Sequence, residues 1–416
     1  MRKTITLKEY EFLQCENEKE NNYINKRTFN ALEQFVLKNE TTQYLKITTK
    51  KGYKKILQAQ NYVGIIQTKD GIIIEILPKI SNVKYEELKK IVLKMLKTLK
   101  NSPFKNFNMA YLKKCKMPLF EIFISMFLDE LSYLLKKGIK SDYIQKEDNL
   151  KFLKGKLNIN KQIQKNFIHK ERFYVEYDEF MRDRVENRLI KTTLYYLYKK
   201  SRSNKNQKRI REFLFIFDDV GLSNNIKADF KKVNLNRQMK DYKQLLLWSK
   251  IFLLGNSFSP YRGNDVAFAL LFDMNLLFES YVGEYLKKHL KKHSFDVKLQ
   301  DKSKYLVEEP KAFMLKPDII INKDKEDMII ADTKWKILSK EKLNYGISQA
   351  DMYQLYAYGT KYNCKKLFLI YPKEEVKKEE CYKFFTGANE VSLKVLFFDL
   401  VNEENNKFCD NFIKKC

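Results

Sequence analysis

Residues Met314 to Lys336, MLKPDIIINKDKEDMIIADTKWK, constrain the geometry of this chain more than any other stretch. Two apolar runs, Ile319–Ile321 and Met328–Ala331, flank the polar segment from Asn322 to Asp327. Short apolar runs around a turn-rich segment read as a β-hairpin of two largely buried strands. Asp318 stands at the start of the first strand; Asp332 and Lys334 stand at the end of the second. In a strand, residues i and i+2 project from the same face. Asp332 and Lys334 therefore point together, and the hairpin can bring Asp318 alongside. Two carboxylates and an ammonium converging at a strand end suit a hard divalent cation with oxygen ligands, with the lysine orienting or deprotonating a water. In a chain with 32% charged residues, a D-x-K triplet alone is an ordinary solvated turn. Here Pro317-Asp318, two apolar strands and the separation between them coincide.

The charge balance narrows the class of partner. Lys and Arg number 80 against 52 Asp and Glu, a net charge of +28. Such an excess suits a polyanion, because each neutralised phosphate releases condensed counterions. A composition rich in Lys, Asn and Ile produces the same excess without any partner. The six cysteines (Cys15, Cys115, Cys364, Cys381, Cys409, Cys416) form no C-x-x-C, so neither a zinc site nor a disulfide framework is expected and a reducing cytoplasm fits. The N-terminal MRKTITLKEYEF lacks the apolar core of a signal peptide. The most apolar helix candidate, Leu119–Leu135, carries Glu121, Asp129 and Glu130 and is too polar to cross a bilayer. It reads as a core helix, and no membrane partner is expected. The only Gly-Lys, Gly155-Lys156, is followed by Leu157, so no phosphate-binding loop and no nucleotide site is recognisable; nucleotide energy would have to come from a partner.

The expected fold class is an α+β multidomain chain in three parts. Residues 1–82 read as a small β-rich domain, with strands at Tyr44–Thr49, Lys54–Gln60, Tyr62–Thr68 and Ile72–Leu77 and a hairpin turn at Lys69-Asp70-Gly71. Residues 83–256 read as a mainly helical middle region, with helices at Val83–Lys100, Pro118–Lys137, Met181–Lys200 and Lys240–Leu254 and strands at Lys151–Leu157 and Arg172–Tyr177. Its very basic run Lys199–Arg211 is expected to be a solvated helix end and loop, with DNA contact as the alternative. Residues 257–416 follow an α-β-β-β-α-β order: helix Asn275–Leu290, strands Phe295–Leu299, Phe313–Ile321 and Met328–Lys334, helix Gln349–Tyr362, strand Leu367–Tyr371, with a further strand at Val391–Asp399.

The spacing P-D-x13-D-x-K matches the signature of PD-(D/E)xK nucleases, and the α-β-β-β-α-β order is the core topology of that fold. The third part is thus expected to be an α/β, restriction-endonuclease-like domain. Other carboxylates are weighed beside the hairpin. Glu279, on the helix before the first strand, could complete a metal shell or be a solvated helix residue. Glu308 and Glu309 are weaker candidates. Gln354 and Tyr358 share one helical face, a Q-x-x-x-Y spacing that RecB-like nucleases carry toward DNA; Gln349 and Tyr353 repeat the spacing one turn earlier. His289 and His293 form H-x-x-x-H without an evident third ligand and read as exposed histidines in a lysine-rich turn.

Further segments carry a family likeness. Y-V-G-I-I (62–66), I-E-I-L-P-K-I (74–80), D-R-V-E-N-R-L-I-K (183–191), M-N-L-L-F-E-S-Y-V (274–282), L-K-P-D-I (315–319), A-D-T-K-W-K (331–336) and D-M-Y-Q-L-Y-A-Y (351–358) stand in the order found in the McrC family, which the chain resembles over roughly residues 60–360. The resemblance implies a nuclease subunit of a modified-cytosine restriction system, working with McrB, an AAA+ GTPase that also reads the DNA. It implies that the N-terminal part docks on that partner and stimulates GTP hydrolysis, while the C-terminal domain cuts double-stranded DNA with Mg2+. On matching positions, Asp318, Asp332 and Lys334 would be catalytic, with Asp318 and Asp332 binding the metal. Thr333 and Trp335 depart from the Ala and Tyr common in the family, and residues 1–60 match no named segment. The alternatives are a stand-alone RecB-like repair nuclease and a non-cutting regulatory subunit of an AAA+ GTPase.

Overall fold

The computed structural model describes residues 4–39, 43–100, 102–105, 116–235, 237–254, 266–373, 381–384 and 390–401. The chain forms two compact units, residues 1–119 together with 257–416, and residues 120–256. The expected boundary at 256 coincides with the end of the second unit, whereas the one at 82 falls inside the first, which also takes in residues 257–416. The physical reason is one strand, Val266–Asp273, that pairs antiparallel with Tyr62–Thr68 and leads directly into helix Met274–Leu290.

In the first unit, Val266–Asp273 completes a four-stranded sheet in which Tyr62–Thr68 and Ile73–Leu77 form the expected hairpin and Thr4–Lys8 lies parallel to Ile73–Leu77. All five residues of Ile73–Leu77 are buried, Glu75 among them. Glu75 is satisfied locally: its carboxylate lies 2.8 Å from the Lys89 ammonium and accepts from the Leu119 amide. A smaller sheet of Phe12–Leu13, Tyr53–Ala59 and Leu45–Lys50 packs with helix Lys26–Lys38 around Phe29, Leu32, Phe35 and Leu57. That helix begins at Asn25, whose side chain accepts from the Thr28 amide.

The same unit holds a six-stranded sheet in the order Val297–Leu299, Ile319–Ile321, Ile329–Thr333, Lys366–Pro372, Ser392–Phe398, Cys381–Lys383. The Ile319–Ile321 and Ile329–Thr333 strands form the antiparallel hairpin; Lys366–Pro372 then runs parallel to Ile329–Thr333 and to Ser392–Phe398. Strand alternation sorts the side chains. Ile320 and Ile330 join Leu355, Tyr358, Leu367 and Leu369 in the core beneath helix Gln349–Tyr362. Trp335, of opposite parity, meets Phe278 of helix Met274–Leu290, ring centroids 5.4 Å apart. The expected long strand Phe313–Ile321 is two pieces: Ala312–Met314 pairs with Tyr305–Val307, and only Ile319–Ile321 enters the main sheet.

The second unit packs helices Leu119–Lys137, Val185–Lys200 and Tyr242–Leu254 around Phe123, Phe127, Trp248 and Phe252. The basic run expected to be helix end and loop is largely helical, Asn204–Ile216, started by Ser203, whose side chain accepts from the Asn206 amide. A three-stranded sheet joins Asp142–Leu150, Phe173–Met181 and the two-residue strand Lys156–Leu157; the expected strand at 151–157 is mostly turn. Beside this sheet, Phe152, Leu153, Ile163, Phe167, Ile168 and Phe180 are each at least 59% exposed. Among the described residues, no helix is long and apolar enough to cross a membrane.

Candidate functional site

The site sits at the open end of the Ile319–Ile321/Ile329–Thr333 hairpin. The last cross-strand pair there is Ile319 with Ala331. One step further out, antiparallel register sets Asp318 opposite Asp332, where directly opposed side chains share a face. The backbone amide and hydroxyl of Thr333 both donate to Asp318 Oδ2, at 2.8 and 2.7 Å. Thr333, through its amide and its hydroxyl, is therefore what fixes the Asp318 carboxylate. The Lys334 amide continues the sheet ladder by donating to Ile370 O at 2.9 Å.

Lys334 Nζ lies 2.7 Å from Asp332 Oδ2 and 3.6 Å from Asp351 Oδ1, and it donates to Gln354 Oε1 at 3.0 Å. Gln354 Nε2 in turn donates to Tyr358 OH at 2.6 Å. Of the two Q-x-x-x-Y pairs, Gln354/Tyr358 faces the hairpin, whereas Gln349 donates to Tyr353, which is 65% exposed. Asp351, Gln354 and Tyr358 stand at i, i+3 and i+7 of helix Gln349–Tyr362, one continuous stripe.

Burial raises the Asp318 carboxyl above the usual range; the charges of Asp332 and Glu279 add to this, and the Thr333 hydrogen bonds oppose it. Burial likewise raises Asp332, against the pull of Lys334 and with further push from Asp351 and Glu279. Burial works against the Lys334 charge, but Asp332, Asp351 and Asp318 together hold its ammonium above the ordinary lysine range. Burial first, against the Gln354 hydrogen bond and with the charges of Asp332 and Asp318 added, pushes the Tyr358 phenol up to about 12. The cluster is therefore short of positive charge. Asp332 Oδ2 is buried and, apart from its ion pair with Lys334, makes no hydrogen bond within the described residues.

Asp318, Asp332 and Lys334 thus come together, and Gln354 and Tyr358 join them. Glu279 is near enough to act on both aspartates by charge, but its Oε1 accepts from Gln300 Nε2 at 2.6 Å. Among the described residues, no three His, Cys, Asp or Glu side chains are grouped as a ready-made metal cage. Glu279, weighed in the sequence as a further ligand or a solvated helix residue, is braced by Gln300. Glu308 is 79% exposed on its side chain and pairs with Lys361. His289 stacks on Tyr285, centroids 4.3 Å apart, and His293 lies exposed in the following turn.

Sequence reasoning passed over Thr333, Gln300, Asp351 and Glu9. Glu9 is 3% exposed, and both its carboxylate oxygens accept from Trp335 Nε1, at 3.1 and 3.0 Å. Its Oε2 also accepts from the Lys79 amide at 3.1 Å. The N-terminal sheet is thereby tied to the residue following Lys334. Asp351 had a readable signal, its spacing from Gln354; Gln300 and Glu9 had none.

The sequence profile of the family described as McrBC 5-methylcytosine restriction system component matches residues 57–372. No curated protein sequence matches the chain. A chain of the refined half-complex from the tetradecameric assembly of Thermococcus gammatolerans McrB AAA+ hexamers with bound McrC is similar at TM-score 0.70 and 18% identity, over 99% of this chain and 100% of that one. A chain of the cryo-EM structure of the Thermococcus gammatolerans McrBC complex is similar at TM-score 0.51 and 22% identity, over 69% of this chain and 88% of that one. At these identities the likeness is one of fold.

Proposed function

The chain belongs to the McrBC family of 5-methylcytosine restriction system components, and from that premise we propose that it is the DNA-cutting subunit of such a system, a PD-(D/E)xK endonuclease that works with an McrB-like AAA+ GTPase in the cytoplasm. The observation that carries this reading is the convergence of Asp318, Asp332 and Lys334 at one hairpin end, each held by named contacts. The partner is suggested by the McrB hexamers named with the similar structure. The several exposed apolar side chains of the second unit's sheet region fit a protein partner too. They lie outside residues 1–82, the segment expected to dock.

The residues fit a divalent cation. Burial and the charge of Asp332 raise the proton affinity of Asp318, and burial raises that of Asp332, whose Oδ2 is met among the described residues by the Lys334 ammonium alone; a cation would relieve both. Asp318 and Asp332 would hold it, with Glu279, braced by Gln300 at one oxygen, near enough to add charge or a further oxygen. Magnesium bound there would activate a water and offset charge on the scissile phosphate. Thr333 holds the Asp318 carboxylate in place. Lys334, braced by Asp332, Asp351 and Gln354, supplies a fixed ammonium that can donate to a water or a phosphate oxygen. Gln354 and Tyr358 extend the polar wall toward the strand being cut, and the excess of lysine holds the backbone without reading sequence.

Replacing Asp332 with Asn or Ala removes metal stabilisation worth several kcal/mol, on the order of a thousandfold in rate. We expect magnesium-dependent cleavage of methylated duplex DNA to be lost, with partner binding and GTPase stimulation retained. Cleavage by the Asp332→Ala chain at the wild-type rate would dismiss the site. A wild-type complex that hydrolyses GTP but never cuts would make the chain a regulatory subunit instead.

A further inference from the structure

Away from the hairpin, the first unit contains a cavity of about 760 Å³ between the C-terminal ends of helices Tyr85–Thr98 and Met274–Leu290. Five lysines line it, Lys94, Lys97, Lys100, Lys105 and Lys288, against a single carboxylate, Glu284. Lys97, Lys100, Lys105 and Lys288 form no ion pair with any described residue. A cation at each helix C-terminus offsets the macrodipole, but that accounts for one or two ammoniums, not five around one concavity. Converging unneutralised charges in a cleft with protein walls concentrate the field on whatever enters.

One wall is rigid. Tyr281 and Tyr285 both pack edge-on against Phe398, and His289 stacks on Tyr285. Burial, then Lys292 and Lys288, lower the proton affinity of His289, as expected of a pocket already crowded with positive charge. At 100° per residue, Tyr281, Glu284, Tyr285 and Lys288 lie roughly opposite Glu279 on their shared helix. The cavity therefore opens on the far side of that helix from the carboxylate cluster and forms a separate site.

We propose that this cavity holds the phosphodiester backbone of a single nucleic-acid strand. Its volume suits one or two nucleotides rather than a duplex. Its lysines supply charge for more than one phosphate, and its aromatic wall offers the rings that single-strand sites use. Functionally it gives the proposed nuclease a hold on a strand at a distance from the cut, and in this it rests on that reading.

The test is binding of a labelled oligothymidylate to the full chain in EDTA, followed by fluorescence anisotropy across a salt series. Binding measured without divalent metal is independent of cutting: a chain that never cleaves can still bind here, and a chain that cleaves can fail to. The triple variant Lys97→Glu, Lys100→Glu, Lys288→Glu should bind at least tenfold more weakly. The slope of log K against log salt should flatten by about 2, three phosphate contacts at roughly 0.7 each. The triple arginine variant should bind as the wild type does, which separates lost charge from lost folding. Unchanged affinity and slope in the glutamate variant would overturn the proposal. So would inorganic triphosphate saturating the cavity while the oligonucleotide binds elsewhere, because the site would then serve a small polyphosphate.

Discussion

Glu9 is a buried carboxylate, and its replacement by glutamine tests how the four-stranded and six-stranded sheets of the first unit are joined. Burial pushes its carboxyl from 4.5 up to about 7, against the opposing pull of the Lys79 amide and ammonium and the Trp335 indole. At 1.36 kcal/mol per unit, that rise is worth on the order of 3 kcal/mol. The sign follows from proton counting. Between about pH 4.5 and 7 the folded state keeps a proton that the unfolded chain has lost, so the stabilisation is full below that window and is lost as pH rises through it. Glutamine mimics the protonated form at every pH. The difference in stability between Glu9→Gln and wild type should therefore shift by about 2–3 kcal/mol toward the variant between pH 5 and pH 8. The chain has two tryptophans, and Trp335 lies in the first unit while Trp248 lies in the second. Urea unfolding followed by fluorescence in a Trp248→Phe background thus reports on the unit that holds Glu9. A difference that stays constant across the two pH values would refute the reasoning.

Two further outcomes follow from the N-terminal sheet. Gly64 has φ of +138°, and a Cβ there would press into the Leu270 carbonyl oxygen, so Gly64→Ala should break the pairing of Tyr62–Thr68 with Val266–Asp273 and lower the melting temperature of the first unit by several degrees or more. Lys89→Met strands the fully buried Glu75 and should cost roughly 3–5 kcal/mol, whereas pairing it with Glu75→Leu should recover most of the loss in denaturant titrations.

The hairpin at 314–336 was legible because two apolar runs and a polar turn leave little choice of register, and register alone brings Asp318 opposite Asp332. Helix Gln349–Tyr362 has the bounds its pattern predicts, ended by Asn363 in the left-handed conformation. Other elements were missed for identifiable reasons. Thr4–Lys8 alternates over only five residues, too short to stand out. Val266–Asp273 is a continuous apolar run without period, and its partner lies some two hundred residues earlier, beyond any local signal. Asn204–Ile216 was hidden by its charge, which a solvated helix face tolerates as well as a loop does. Within the site, Gln300 meets Glu279 across 21 residues, and Glu9 meets Trp335 across 326. Such relations arise from tertiary packing and leave no periodicity behind.

The strand Val266–Asp273 makes the first unit discontinuous in sequence, and this bears on how the protein can be made and dissected. During synthesis, the edge of Tyr62–Thr68 must wait, unpaired, while the whole of residues 120–256 is threaded out and folded. A fragment starting at 257 would carry the carboxylate hairpin but lack the sheet that covers Val266–Asp273 and the Glu9 that grips Trp335. The carboxylate cluster is therefore not a detachable module. It is finished by residues of the N-terminal sheet, and a truncation made for convenience would expose the edge of Val266–Asp273 that Tyr62–Thr68 covers.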